Sequence, residues 1–222
     1  MIKLNKIAKI AQLSYENALR LHFDSISLFK LKSYSTAYFL SVISLEEFGK
    51  FCGLEDYYFD SAIMKQRMTE PVEVDGKLIS DPERKFIELI YQHKIKQQWF
   101  LYFLDFKLPQ SIISEIKSGS IERKKQNALY VGLRKINKTV DLKSKIINPL
   151  AIKKNYAKDQ ITIMNDNLLV FTLGVSKGVY GAEIQEVEAS LKNRKVFNKL
   201  INEWKYVKPS TKRKLNKIMQ IK

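Results

Sequence analysis

The sequence predicts an all-α protein, and three observations carry that reading. Glycine and proline, the residues that punctuate turns, number only 8 and 5 among 222. Hydrophobic residues make up 45% of the chain, enough for one sizeable core. Along much of the chain the apolar residues recur at three- and four-residue intervals, which places them on one face of a helix.

Residues 5–30 read as a long amphipathic helix. Ile7, Ala11, Ala18, Ser25 and Phe29 share a face, with Ser14, Leu21 and His22 beside them. Many of these side chains are small, which suits the close approach of a second helix. A short link at 33–35 leads into that second helix, over about 35–58, so the pair reads as an antiparallel hairpin. Residues 69–80, "TEPVEVDGKLIS", break the helical pattern. Asp81-Pro82 then offers an N-cap followed by proline at the first helical position, and opens a third helix over 82–105. A short helix is expected near 110–117. The basic segment "ERKKQNALYVGLRK" follows at 122–135, with a connection to about 150. A fourth long helix covers 151–177, Gly178 and Gly181 end it, and a fifth runs over 182–204. Pro209-Ser210 starts a last basic helix, "TKRKLNKIMQIK". No repeat, low-complexity tract or second domain is visible.

Lysine and arginine outnumber aspartate and glutamate by 39 to 23, a formal net charge of +16. Such an excess attracts RNA, DNA, an acidic protein or an anionic membrane surface; a lysine-rich surface with no particular partner is the plain alternative. The lone Cys52 cannot form an internal disulfide and sits in an apolar run, where packing is its expected role. The N-terminal "MIKLNKIAKIAQ" lacks the apolar core and cleavage site of a secretion signal. "AYFLSVISL" and "NLLVFTLGV" fall short of the ~18 residues a membrane span needs. A cytoplasmic chain without a membrane role is expected. No zinc-type Cys/His spacing, phosphate-binding glycine loop, dinucleotide fingerprint or nucleophile elbow is present, and two histidines are too few for most metal hydrolases; no metal or cofactor is expected, with a carboxylate-rich site as the alternative left open.

One stretch resists the bland reading. "TAYFLSVISLEEFGKFCGL", residues 36–54, looks like core, yet carries Glu46, Glu47 and Lys50. On a helical wheel Phe39, Ile43, Glu46 and Lys50 form one stripe, with Glu47 beside Leu40 and Ile43, and no side is plainly polar. Glu46 and Lys50 are spaced for an i,i+4 pair, worth only about 0.2–0.5 kcal/mol. A buried charge without a partner costs several kcal/mol. The cluster must therefore meet polar groups from another helix or line a solvated groove. On the third helix Phe86, Leu89, Ile90, His93, Gln97 and Phe100 form the inward stripe, with Lys96 at its margin. His93 is then either a core histidine satisfied by one hydrogen bond or an imidazole facing Glu46 or Glu47 in a polar pocket. His22, among small residues, reads as structural.

Residues 15–54, with Asn17-Ala18, Asp24, Ala37 and the signature "LEEFGK" from Leu45 to Lys50, resemble the opening of the AbiV-type abortive infection proteins. These belong to the HEPN group of helical domains. "HKIK" at 93–96 and "NALYV" at 127–131 also fit, and the resemblance covers about residues 5–135. It implies a single all-α domain over 1–222: a HEPN-like helical bundle with additional C-terminal helices, the core at about 5–135 and a helical extension at about 150–222. It also implies a bacterial antiphage protein that stops the infected cell, inhibits translation and meets a phage-encoded protein. Many HEPN domains dimerise and are metal-independent ribonucleases with an Arg-x4–6-His motif. Here Arg123 is followed by Tyr130 seven residues on, where the histidine would be sought, and a phenol is the poorer base at neutral pH.

Two function classes follow. In the first, a homodimeric effector acts on RNA or the translation machinery. If it cleaves RNA, His93 or Tyr130 moves protons, Arg123 and Lys96 stabilise charge on the phosphate, and Glu46 or Glu47 orients the cations, with Lys50 in the same cluster. In the second, a non-catalytic helical module binds RNA, a ribosome or a phage protein, and the polar cluster only fixes helix register.

Overall fold

A computed structural model describes residues 3–64, 72–74, 77–103, 110–133, 135–136, 139–178, 184 and 194–221. The first two helices, α1 (Leu4–Lys30) and α2 (Tyr34–Tyr58), form the expected hairpin. Its turn is tight because Lys32 takes a left-handed conformation at φ 63°, and Ser33 N–H returns to the Leu28 carbonyl at 2.9 Å, closing the end of α1. The buried face of α1 is the predicted one, extended by Tyr15 and Ile26. Its small residues admit α2 closely enough for the Ser44 hydroxyl to donate to the Ala18 carbonyl at 2.7 Å.

No residue of α2 from Tyr34 to Glu55 is exposed. α1, α4 (His93–Phe103) and α7 (Lys154–Ser176) pack around it. Tyr15, Phe48, Phe51 and Phe171 form the aromatic centre of the core, with neighbouring rings 5.2–6.4 Å apart. α7 is buried continuously from Gln160 to Val175. It carries buried polar groups that are paired across helices. His22 and Asn165 meet at 3.0 Å, and Trp204 Nε1 donates to Thr162 Oγ1 at 3.0 Å.

Between α2 and α4 the chain runs through a single π-turn at Phe59–Ile63 and a small antiparallel hairpin of β1 (Val72–Val74) and β2 (Lys77–Ile79), in the segment expected to break the helical pattern. α3 (Pro82–Ile90) starts as predicted, its Asp81 side chain accepting from Arg84 N–H at 2.9 Å. The expected single helix over 82–105 is corrected: the chain turns at Tyr91-Gln92, and α4 begins afresh at His93. α5 (Gln110–Lys117) and α6 (Ser120–Asn127) follow, with Gly119 between them at φ 68°. A second two-stranded hairpin, β3 (Lys135–Ile136) and β4 (Thr139–Val140), lies in the connection. Gly178, at φ 67°, sits just beyond the end of α7. The expected helix over 182–204 lies largely outside the described residues; its end is seen as α8 (Lys195–Glu203). α9 (Pro209–Met219) closes the chain against α7, where Asp166 accepts from Lys208 N–H at 3.3 Å and from the Thr211 hydroxyl at 2.9 Å. The fold class is all-α. Among the described residues no helix is long and apolar enough to cross a membrane.

Candidate functional site

Glu46 is fully buried in the middle of α2, and it is satisfied by three donors from two other helices. His93 Nδ1 lies 2.7 Å from its Oε2. Gln97 Nε2 and Lys125 Nζ lie 2.7 and 2.8 Å from its Oε1. Lys125 comes from α6 and is itself buried. Its ammonium also meets Glu122 Oε2 at 2.7 Å and approaches His93 Nδ1 to 3.2 Å. A buried carboxylate is tolerable only with such partners, because its desolvation must be offset by pairing and hydrogen bonds.

Two neighbours compete for His93 Nδ1: towards Glu46 Oε2 at 2.7 Å the nitrogen donates if it carries the proton, and towards the Lys125 ammonium at 3.2 Å it accepts if it does not. The carboxylate contact is the shorter, and donation to it leaves the lone pair on Nε2. The His93 side chain is 56% exposed, so Nε2 belongs to the open edge of the site. Ile90, Gln97 and Phe100 are buried as expected, and of the two readings of His93 the structure has the ring against Glu46. Its inward position is corrected: His93 opens α4 just after the break at Tyr91-Gln92, and at that end of the helix its ring lies at the rim.

Glu47 belongs to a second, neighbouring set. It accepts from Lys50 Nζ at 2.8 Å and from Asn17 Nδ2 at 3.3 Å, with Lys96 Nζ at 3.7 Å. The expected i,i+4 pairing of Glu46 with Lys50 gives way to this i,i+3 pair, because Glu46 turns towards α4 and α6. Burial pushes the Glu47 carboxyl up, but Lys50, Asn17 and Lys96 together outweigh it and hold it below the ordinary range. For Glu122 burial again pushes upward, and Lys125, with Gln126, holds the carboxyl below its usual value. Lys50 also lies over the Tyr91 ring at 5.7 Å.

Arg123 and Tyr130 are brought together, but not with His93. Both line a groove of about 1020 Å³ between α6 and the 130–147 connection, with Lys145 on its wall. Both are exposed, and the Arg123 side chain makes no ion pair or hydrogen bond among the described residues. On α6 Glu122 and Lys125 point towards His93, whereas Arg123 faces the other way. Glu122, Lys125 and Gln97 were not predicted as site residues. Gln97 was visible on the inward stripe. Lys125 was marked only by its helical phase with the apolar Ile121 and Ala128.

The chain is thus a helical bundle with a buried charged cluster where α2 meets α4 and α6. Comparison with family models places it further: the AbiV model, HEPN_AbiV, matches residues 6–169. The chain belongs to the AbiV family, a family of abortive-infection proteins of antiphage defence. The match runs past the expected limit near 135 and takes in α7 as far as Leu169. No curated protein and no solved structure matches the chain.

Proposed function

We propose that this chain arrests phage multiplication by cleaving RNA without a metal ion, with His93 as its proton-transfer group. The observation that supports the reading is the His93–Glu46 pair. A carboxylate on Nδ1 orients the ring and leaves Nε2 to the open rim, the arrangement that general base chemistry requires. In the reaction a ribose 2′-OH gives its proton to Nε2 as its oxygen bonds to the neighbouring phosphorus. The bond from phosphorus to the 5′ oxygen breaks, the leaving oxygen takes a proton from water, and the resulting hydroxide takes up the proton that His93 received. The products are a cyclic phosphate and a free 5′-OH. The net charge of +16 draws the RNA backbone to the surface. In the same reading the chain works as a homodimer in the bacterial cytoplasm, which light scattering tests against the monomer mass of 25.9 kDa.

A second reading is favoured by one observation, that Arg123 on α6 and Tyr130 beyond its end line a groove that does not include His93. There the chain is a binding module that blocks translation through RNA, a ribosome or a phage protein. Labelled RNA incubated with purified protein in the presence of a chelator separates the two. Cleavage by wild type that His93→Ala loses supports the nuclease. RNA left intact at stoichiometric protein removes it, and salt-sensitive RNA binding would then carry the second reading.

A further inference from the structure

Glu46, His93 and Glu122 come from three different helices, and one ligand atom of each lies within 4.8 Å of the others. Two carboxylate oxygens and an imidazole nitrogen at this separation are the donor set of a divalent metal site. The seat between them is filled from within the chain. Lys125 Nζ lies 2.8 Å from Glu46, 2.7 Å from Glu122 and 3.2 Å from His93 Nδ1, on a side chain only 4% exposed. Two carboxylates so close repel each other, and a positive charge between them removes the repulsion. An ammonium contributes one charge, three directed N–H bonds and a fixed tether, and it cannot dissociate.

We propose that Lys125 is the resident cation of this site, standing where a divalent metal would otherwise bind and positioning His93 through Glu46. Resting on the reading of His93 as the proton-transfer group, the assignment makes Lys125 a positioning residue. By keeping Glu46 an acceptor it keeps the proton on Nδ1 and the lone pair on Nε2. It also gives the site a charge that opposes any entering metal ion. Without the ammonium, Glu46, His93 and Glu122 become an open set of three ligands.

The test uses the full chain and the Lys125→Met variant, whose side chain approximates the lysine stem. Binding of Co²⁺ is followed by its visible spectrum, and binding of Zn²⁺ by calorimetry. The variant is expected to bind one equivalent of metal, on the order of 10²-fold or more tighter than wild type, since a full charge about 3 Å away has been removed. That binding should disappear in Lys125→Met/His93→Ala. Zn²⁺ should also raise the melting temperature of the variant and leave that of wild type unchanged, which loss of a merely structural ion pair would not produce. Folded Lys125→Met protein with no gain in metal affinity overturns the proposal, as does wild type that binds metal in a His93-dependent way. A measurement on wild type alone decides the case if the variant does not fold. Nitrogen NMR of His93 in its neutral state should show the proton on Nδ1. A proton on Nε2, which Lys125 donating to Nδ1 would produce, overturns it. None of these readouts involves RNA, so failure of the nuclease reading is seen separately in the cleavage assay.

Discussion

The 2.7 Å contact between Glu46 Oε2 and His93 Nδ1 joins a carboxylate sealed in the core to a ring at the surface. Its two ends have different consequences. The buried end is a matter of stability, because Glu46 and Lys125 have no water to fall back on. The exposed end is a matter of chemistry, because the ring edge away from Glu46 faces the outside.

Removing the buried end should be costly. Glu46→Ala strips Lys125 of one of its two carboxylates and leaves Gln97 without its shorter acceptor, so a loss of about 3–5 kcal/mol is expected. Glu46→Gln keeps the shape and should lose less. Urea unfolding of the two variants measures this. A Glu46→Ala midpoint equal to that of wild type would show that the carboxylate is not paired as described.

Removing the exposed end should do the opposite. His93→Ala deletes a ring that water can replace, so stability should change by no more than about 1–2 kcal/mol. If His93 transfers the proton, the cleavage rate should fall about 10²–10⁴-fold. Turnover and melting are measured on the same preparation. A large drop in melting temperature with cleavage retained would assign the ring to the fold rather than to the chemistry.

Much of the bundle could be read before any coordinates, and particular residues show where that reading stopped. The buried face of α1 and the length of α2 follow from periodicity, and Asp81-Pro82 marked the start of α3 through its capping chemistry. The break at Tyr91-Gln92 has no glycine or proline to announce it, so the start of a new helix at His93, which leaves the ring at the rim, could not be read. The wheel set Glu46 and Glu47 apart, yet either could be given the same partner and role. A step of about 100° sends one towards α6 and the other towards Lys50 and Lys96. Lys125 read as one of a run of cations, because burial of a single lysine in such a run is decided by what packs above it, here Glu46 from a helix 79 residues away.

Acid should act on the core in two opposing ways. Burial lowers the pKa of His22 to about 4 against the help of Asn165, so the folded state binds fewer protons there than the unfolded chain. That contribution is present above the ordinary value near 6.5 and is lost as pH falls towards 4. Burial raises the pKa of Asp166 to about 6, against Thr211, Lys208 N–H and the Lys208 charge. The folded state there binds more protons, so this group destabilises the fold near pH 7 and the cost fades as pH falls from 6 towards 3.8. Asp166→Asn, which keeps an acceptor for Lys208 and Thr211, should raise the melting temperature at pH 7 and steepen the loss of stability on acidification. Melting curves at pH 4.5 and 7 check this, and an unchanged melting temperature at pH 7 would show that Asp166 is not strained by its burial.

The last prediction concerns the glycine of the "LEEFGK" signature. A Cβ built on Gly49 would stand 1.9 Å from the Lys96 carbonyl oxygen, closer than any real contact. The obstacle is backbone, which cannot rotate aside, so Gly49→Ala must move α4 away from α2. A loss near the upper end of the overpacking range, about 3 kcal/mol, is expected. Gly53→Ala is the control on the same helix. Its Cβ would meet Ile90 Cδ1 of α3 at 2.5 Å, the far end of a flexible side chain, and the Trp99 ring of α4 at 3.1 Å, side chains rather than backbone, and the cost should be nearer ~1 kcal/mol. The two differ in function as well. α4 carries His93, Lys96 and Gln97, so displacing it separates these residues from Glu46 and Glu47. Gly49→Ala should therefore lose antiphage activity even at temperatures where the variant stays folded, whereas Gly53→Ala should keep it. Equal effects of the two alanines on melting would mean that the close approach of α2 and α4 at Gly49 does not set the geometry of the site.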